Sequence, residues 1–195
     1  MTIQTDKQYY TPEEYLTLEE KATEKHEYRD GEIALMPGGT TNHNQIAGNF
    51  YKQFPLKIQN QDYYVYINDV RLWIAQYRIF TYPDVMVIKG KPMYEGKGTS
   101  NVTNPLIIVE VLSQSTRDYD RTDKFQYYRS IPEFREYILI DQYRFYVSQY
   151  FKQEDGKWIF NDYQGEDSVL KLACDEFEIS FQDLYERVDF ELDEG

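Results

Sequence analysis

The amino-acid sequence predicts an α/β fold: a central mixed β-sheet flanked by helices, with an antiparallel hairpin extension at the C-terminal end. Two apolar runs, 85–88 and 106–112, are dominated by β-branched residues, which is typical of strands buried on both faces. A helical segment and a third strand, 136–140, follow these two runs. This order indicates a crossover that makes the strands 106–112 and 136–140 parallel neighbours. After Tyr143 the pattern changes to hairpins, with a turn at Asp155-Gly156.

Length and composition predict one domain, spanning 1–195, that is large enough to bury a substantial core. The one cysteine, Cys174, cannot form an internal disulfide, and the N-terminus has neither the basic nor the apolar region of a signal peptide. No apolar stretch is long enough to cross a bilayer. We therefore expect a cytoplasmic protein without a membrane partner, with loose tails at 1–9 and 188–195.

The first element is a helix, because Thr11 suits the N-cap position and is followed by proline and two glutamates. We expect this helix to run to about His26, with Glu27 at its end. A hairpin over 28–36 should follow, turning at Asp30-Gly31.

A second helix is predicted from Thr40 to Ile58, since Ile46 begins a series of apolar residues spaced by four. His43 lies in its first turn and is either a capping or structural histidine or a metal ligand. Short strands are expected at 63–67, 70–74 and 79–82. The segment 89–105, rich in glycine, lysine and proline, is predicted to be a flexible connection, or a loop that moves when substrate binds.

Each of the two central strands carries one acidic residue. Pro83 suits the first position of a strand, which places Asp84 near its start, and Glu110 is the one polar residue in 106–112. A buried carboxylate costs several kcal/mol unless it is hydrogen-bonded, paired with a cation or bound to a metal. Two carboxylates on neighbouring strands make the oxygen-rich site that Mg²⁺ prefers.

A helix capped by Ser115 or Thr116 is expected after the second central strand. Within it, Asp120, Lys124 and Tyr128 recur every four residues and therefore share one face. A lysine in this position could reach the pair of carboxylates.

Several short motifs occur in a fixed order along the chain: Tyr28-x-Asp30-Gly31-Glu32, His43, Pro83-Asp84, Val109-Glu110-Val111-Leu112-Ser113, Ser115-Thr116, Asp120-Arg121, Lys124, Tyr128 and Glu136-Tyr137-x-Leu139-x-Asp141. Together they resemble the Uma-type restriction endonuclease family, which is numerous in cyanobacteria and is placed in the PD-(D/E)XK nuclease superfamily. The resemblance covers roughly residues 10 to 142. It implies a restriction-endonuclease-like fold.

The resemblance also implies a metal-dependent endonuclease that hydrolyses DNA phosphodiester bonds. Asp84, Glu110 and the backbone carbonyl of Val111 would hold Mg²⁺, or Mn²⁺ in its place, and Lys124 would position the attacking water or stabilise the transition state. The superfamily pattern expects lysine where Leu112 stands, so Lys124 would be a migrated catalytic lysine. A homodimer is expected, since cutting both strands requires two sites.

Glu27 matches an acidic residue of the family pattern. It is either a fourth catalytic residue, acting through a second metal, or a solvated glutamate at a helix end.

The net charge of −13 opposes tight, promiscuous binding to DNA. A local basic strip remains compatible with it, and its candidates are Lys89, Lys91, Lys97, Arg117, Arg121, Lys124 and Arg129. These residues could equally be a solvated surface. Two alternatives to the enzyme also remain: an inactive nucleic-acid- or protein-binding module with the nuclease fold, and a buried ion network without chemistry.

Overall fold

The centre of the molecule is a seven-stranded mixed β-sheet, seen in a computed structural model that describes residues 9–191. Its strands, in spatial order, are β12 (Trp158–Gln164), β11 (Tyr146–Lys152), β10 (Glu136–Asp141), β9 (Ile107–Leu112), β7 (Val85–Lys89), β4 (Gln61–Ile67) and β3 (Lys57–Ile58). Strands β9 and β10 are parallel, and the other neighbours are antiparallel. The predicted mixed sheet and its C-terminal hairpin extension, β11–β12, are confirmed.

A five-stranded sheet and a small hairpin accompany the central sheet. The five strands, in spatial order, are β2 (Glu32–Leu35), β1 (His26–Arg29), β6 (Ile79–Thr81), β5 (Arg71–Ile74) and β8 (Asn101–Val102). The hairpin pairs β13 (Val169–Lys171) with β14 (Glu178–Ser180).

The helices are α1 (Pro12–Glu19), α2 (Thr41–Gln53), a 3₁₀ turn (Ala75–Tyr77), α3 (Arg117–Tyr119), a π-helical turn (Asp120–Lys124), α4 (Phe125–Tyr128) and α5 (Phe181–Leu184). The three consecutive segments from 117 to 128 are called helix 117–128 below. No helix within residues 9–191 is long and apolar enough to span a membrane.

Side chains alternate between the two faces of the central sheet, and each face has its own core. Val85 and Val109 pack on the face that α2 and α5 cover. Ile108 and Leu112 face the opposite core, which contains Tyr128 of helix 117–128. Because side chains two residues apart share a face, Glu110 projects between Ile108 and Leu112 towards helix 117–128.

Helix α1 is shorter than the sequence predicts and ends at Glu19. Beyond Leu18 the chain offers almost no apolar residue that a continued helix could bury. His26 and Glu27 belong instead to β1, which pairs with β2 and β6. The side chain of Glu19 accepts the backbone N–H of His26 at 2.9 Å and so closes the connection.

Helix α2 ends at Gln53, whereas the sequence predicts an end at Ile58. Phe54 is extended, with φ −70° and ψ 122°, as expected for a residue that precedes proline. Thr116 is the N-cap residue of helix 117–128, as predicted, but its side chain makes no capping bond. Instead, the hydroxyl of Ser113 accepts the N–H of Thr116 at 3.2 Å.

The segment 89–105 is more structured than a plain loop. It contains β8, which pairs in parallel with β5 and buries Val102 completely. The side chain of Asn104 accepts the N–H of Met93 at 2.7 Å and donates to the carbonyl of Lys91 at 3.1 Å. Side-chain hydrogen bonds therefore help to hold this segment in place. It lacks the apolar pattern by which a strand is normally recognised in a sequence.

The predicted loose tail is wrong for 188–191. Val188 and Phe190 pack against the core on the α2 side, and the backbone of Asp189 exchanges two hydrogen bonds with the side chain of Asn42. The remainder of that tail, 192–195, and residues 1–8 of the N-terminal arm lie outside the described residues.

Candidate active site

Asp84 and Glu110 meet at one end of the sheet, where β7 and β9 separate. The antiparallel register pairs Val85 with Val109, so one further step along each strand places Asp84 opposite Glu110. The backbone N–H of Asp84 lies 3.4 Å from Oε2 of Glu110, and Oδ2 of Asp84 accepts the N–H of Val111 at 2.7 Å. The prediction that the two acidic residues lie on neighbouring strands is confirmed.

Glu110 is buried, with 2% of its surface exposed, and one oxygen of its carboxylate, Oε1, accepts from two side-chain donors. Oε1 accepts the hydroxyl of Tyr128 at 2.7 Å and the ammonium of Lys124 at 3.1 Å. Burial raises the pKa of Glu110 to about 8; the Lys124 cation opposes this rise, whereas the charges of Asp84 and Asp120 add to it. The two neighbouring acids therefore make the ionised form of Glu110 costly.

Lys124 lies between two buried carboxylates. Its Nζ is 2.8 Å from Oδ1 of Asp120 and 3.1 Å from Oε1 of Glu110. Burial favours the neutral amine, but the charges of Glu110, Asp120 and Glu27 outweigh it and hold the pKa of Lys124 well above its usual value. The prediction that Lys124 faces the acidic pair is confirmed, and this lysine is a protonated hydrogen-bond donor.

Glu27 lies in strand β1, is buried, and is already paired. Its Oε1 accepts the hydroxyl of Thr81, and its Oε2 accepts the guanidinium of Arg29. Burial raises the pKa of Glu27, but the positive charges of Lys124 and Arg29 lower it further, below its usual value. The interpretation of Glu27 as a solvated helix-end residue is therefore wrong, whereas its catalytic role stays a prediction.

His43 contacts the candidate site directly, through the carboxylate of Asp84. Its Nε2 lies 3.1 Å from Oδ2 of Asp84, and its side chain is 16% exposed. Burial lowers the pKa of His43, but the hydrogen bond to Asp84 and the charge of that carboxylate raise it further, above its usual value. The motif match at His43 was the one available signal, because its partner is about forty residues away in sequence.

Gln142 is a second residue near this end of the sheet that sequence reasoning missed. It is fully buried, and its amide joins Thr40, before α2, to the carbonyl of Leu112, at the end of β9. Nothing in the local pattern distinguishes Gln142 from an ordinary polar residue after a strand.

The oxygen atoms at this end of the sheet fit a small, hard cation. Residues 9–191 contain no group of three or more His, Cys, Asp or Glu side chains arranged to hold a metal. Mg²⁺ does not need such a group, because it commonly uses one or two carboxylates and keeps several waters. The Asp84 side chain is 15% exposed, so water can reach it, and a cation would relieve the repulsion between Asp84 and Glu110.

The candidate basic strip is partly neutralised. Lys89 is paired with Asp175 at 3.0 Å, and Arg117 lies 3.7 Å from Asp141. Lys124 is buried within the site. The exposed members are Lys89, Lys91, Lys97 and Arg129, whereas Arg117 and Arg121 are half-buried.

Comparison with known proteins gives a consistent result along most of the chain. The family described as "Putative restriction endonuclease", Uma2, matches residues 12–182. Two proteins of Synechocystis sp. (strain ATCC 27184 / PCC 6803 / Kazusa) are similar. "Uncharacterized protein sll1609" is 40% identical over 173 residues, covering 89% of this chain and 97% of that protein. "Uncharacterized protein slr1290" is 37% identical over 159 residues, covering 82% and 83%.

A solved structure shares the fold. The crystal structure of a "putative nuclease belonging to DUF820" from Anabaena variabilis ATCC 29413 superposes with a TM-score of 0.70 at 18% identity. The match covers 90% of this chain and 97% of that one. The two chains therefore share their arrangement of strands and helices.

Proposed function

Since the chain belongs to the Uma2 restriction endonuclease family, we propose that it is a metal-dependent endonuclease that hydrolyses DNA phosphodiester bonds. The observation that carries this proposal is the convergence of Asp84, Glu110 and Lys124 at one end of the central sheet. The family assignment supports a nuclease-like function, and the donor set favours Mg²⁺ or Mn²⁺ as cofactor.

The two carboxylates would hold the cation together with the backbone carbonyl of Val111. When bound, the cation lowers the pKa of a coordinated water and neutralises charge on the scissile phosphate. Val111 uses its N–H to fix Oδ2 of Asp84, so the backbone at this position would serve the site through both of its polar groups.

Lys124 would act as a hydrogen-bond donor to the reacting oxygens. A lysine ammonium has three N–H groups; one donates to Glu110, and the ammonium is also ion-paired with Asp120 at 2.8 Å. An N–H that is not used by Glu110 would serve the attacking water or a phosphate oxygen. Because Lys124 is held in its charged form, it cannot be the general base.

Glu27 would support the site from a distance, because its negative charge contributes to keeping Lys124 protonated. A cation bound at Glu27 itself would have to displace the guanidinium of Arg29. We therefore assign Glu27 a supporting electrostatic role in catalysis. A second metal could bind at Glu27 only after the guanidinium of Arg29 had been displaced.

We further propose that the protein is a single domain that cuts duplex DNA as a homodimer in the cytoplasm, with one site per strand. DNA binding should be weak and confined to a local basic strip, because the chain carries a net charge of −13. Increasing salt should reduce it steeply.

The test measures Mn²⁺ binding by calorimetry and plasmid nicking at low salt for wild type, Asp84→Asn and Glu110→Gln. Both variants should stay folded and lose nicking together with the metal-dependent rise in melting temperature. Lys124→Ala should lose nicking while keeping more of the metal affinity. Asp62→Asn, which changes an exposed acidic residue on β4, is the matched control and should behave like wild type.

One observation favours a buried ion network without chemistry: Lys124 lies within 3.1 Å of two carboxylates. A wild-type protein that binds no divalent ion and leaves both DNA and RNA intact would refute the enzyme and favour the inactive alternatives.

A further inference from the structure

The buried amide of Gln142 joins two parts of the fold that meet at the candidate site. Its Oε1 accepts the hydroxyl of Thr40 at 2.6 Å, and its Nε2 donates to the carbonyl of Leu112 at 3.1 Å. The same Nε2 lies 3.3 Å from the hydroxyl of Tyr143. Gln142 therefore fastens the start of α2 to the end of the strand that carries Glu110.

Thr40 continues this connection into α2. It is the N-cap residue, and its hydroxyl oxygen accepts the backbone N–H of His43 at 3.2 Å while its proton goes to Gln142. Gly39 lies against the imidazole, since a Cβ there would come within 3.1 Å of Nδ1 of His43. The backbone of His43 is thus held by Thr40, and one side of its imidazole ring is held by Gly39.

The imidazole ring of His43 contacts the carboxylate of Asp84. Nε2 of His43 and the N–H of Val111 lie 3.1 Å and 2.7 Å from the same oxygen, Oδ2. Two donors on one oxygen set the rotation of the carboxylate and direct Oδ1 away from both donors. Hydrogen bonds of this kind to a metal-binding carboxylate commonly contribute about 10–100-fold to metal affinity.

We propose that Gln142 and Thr40 are positioning residues that hold His43 against Asp84 and so orient its carboxylate for the cation. This inference rests on the proposed function for its cation, but the contact between His43 and Asp84 can be tested separately. Neither Gln142 nor Thr40 would touch the cation or the substrate.

The experiment compares Thr40→Val and Gln142→Met with the conservative Thr40→Ser. Valine and methionine keep the approximate shape and remove the hydrogen bonds, whereas serine retains the hydroxyl. The chain has two histidines, so ¹⁵N–¹H spectra of the imidazole rings are readily assigned with a His26→Gln variant. Melting temperatures identify the variants that remain folded.

At a pH high enough to keep the imidazole neutral, we expect His43 in wild type and Thr40→Ser to carry its proton on Nε2 in a single tautomer. In the valine and methionine variants this signature should give way to a mixture of tautomers, and Mn²⁺ affinity should fall about tenfold. Thr40→Ser should retain the wild-type affinity.

Two results would overturn the inference. One is an unchanged His43 spectrum in folded Thr40→Val or Gln142→Met protein; the other is a changed spectrum with unchanged Mn²⁺ affinity. If wild type binds no Mn²⁺, the proposed function fails instead, and the His43 spectra alone decide whether Gln142 and Thr40 position the ring.

Discussion

Replacing Lys124 with methionine should show how strongly the folded state depends on the one cation between the buried carboxylates of Asp120 and Glu110. The ammonium lies 2.8 Å from Asp120 and 3.1 Å from Glu110, and the Lys124 side chain is 8% exposed. Removing one partner of a buried ion pair typically costs about 3–5 kcal/mol. For a chain of this size, each kcal/mol shifts the melting temperature by about 2–4 °C, so we expect a fall of about 6–20 °C.

The stability of the Lys124→Met variant should fall as pH rises. Burial raises the pKa of Glu110, and the Lys124 cation is the largest influence that opposes the rise. Without that cation, folded protein keeps a proton on Glu110 that the unfolded chain releases at the ordinary pKa of glutamate. The folded state then binds more protons, so the stability of the variant should fall as pH rises from that ordinary value to beyond about 8.

The assay is urea unfolding of wild type and Lys124→Met at pH 6 and pH 9. Glu110→Gln added to Lys124→Met should recover part of the loss at pH 9, because it removes one of the two carboxylates that would be charged and uncompensated there. Lys52→Met removes an exposed ion pair with Glu186 and should change stability by less than about 1 kcal/mol. A Lys124→Met protein as stable as the Lys52→Met control at both pH values would refute the ion-network reasoning.

Three further predictions concern single contacts. Tyr128→Phe removes the buried 2.7 Å hydrogen bond to Glu110 and should lower unfolding free energy by about 1.5–3 kcal/mol in urea titrations; no change would mean that the hydroxyl is dispensable. Gly156→Ala, at φ +83° with open space around a new Cβ, should lose about 1 kcal/mol through backbone strain alone, whereas Gly38→Ala, equally open and without a left-handed φ, should not. Burial, together with the Glu136 carboxylate, raises the pKa of the Cys174 thiol, so it should resist alkylation at pH 8 until urea unfolds the protein; rapid alkylation of folded protein would contradict this.

The sequence predicted the elements whose signals are local. Strand β9 is apolar at every position except Glu110, and that pattern marks a strand covered on both faces wherever it lies. The turn at Asp155-Gly156 needs a glycine at positive φ, so it was also visible without tertiary information. The face shared by Asp120 and Lys124 follows from helical periodicity alone.

Other features depend on partners that are distant in sequence. Glu27 reads as a helix-end residue until β1 is seen pairing with β6, about fifty residues later, because charged residues with good helix propensity carry no strand signal. Strand β8 has two residues and is recognisable only through its pairing with β5. The packing of Phe190 on the core likewise depends on where α5 and α2 meet.

The sequence by itself determined the order of the central strands and the helix between them, the one acidic residue on each of two central strands and the lysine on that helix, because each depends on spacing of a few residues. Only the tertiary structure decided that His43 reaches Asp84, that Gln142 holds the start of α2, and that Glu27 is buried against Thr81. These contacts bring together segments that are far apart in the chain, and their hydrogen bonds require an approach within about 3 Å that no local pattern encodes.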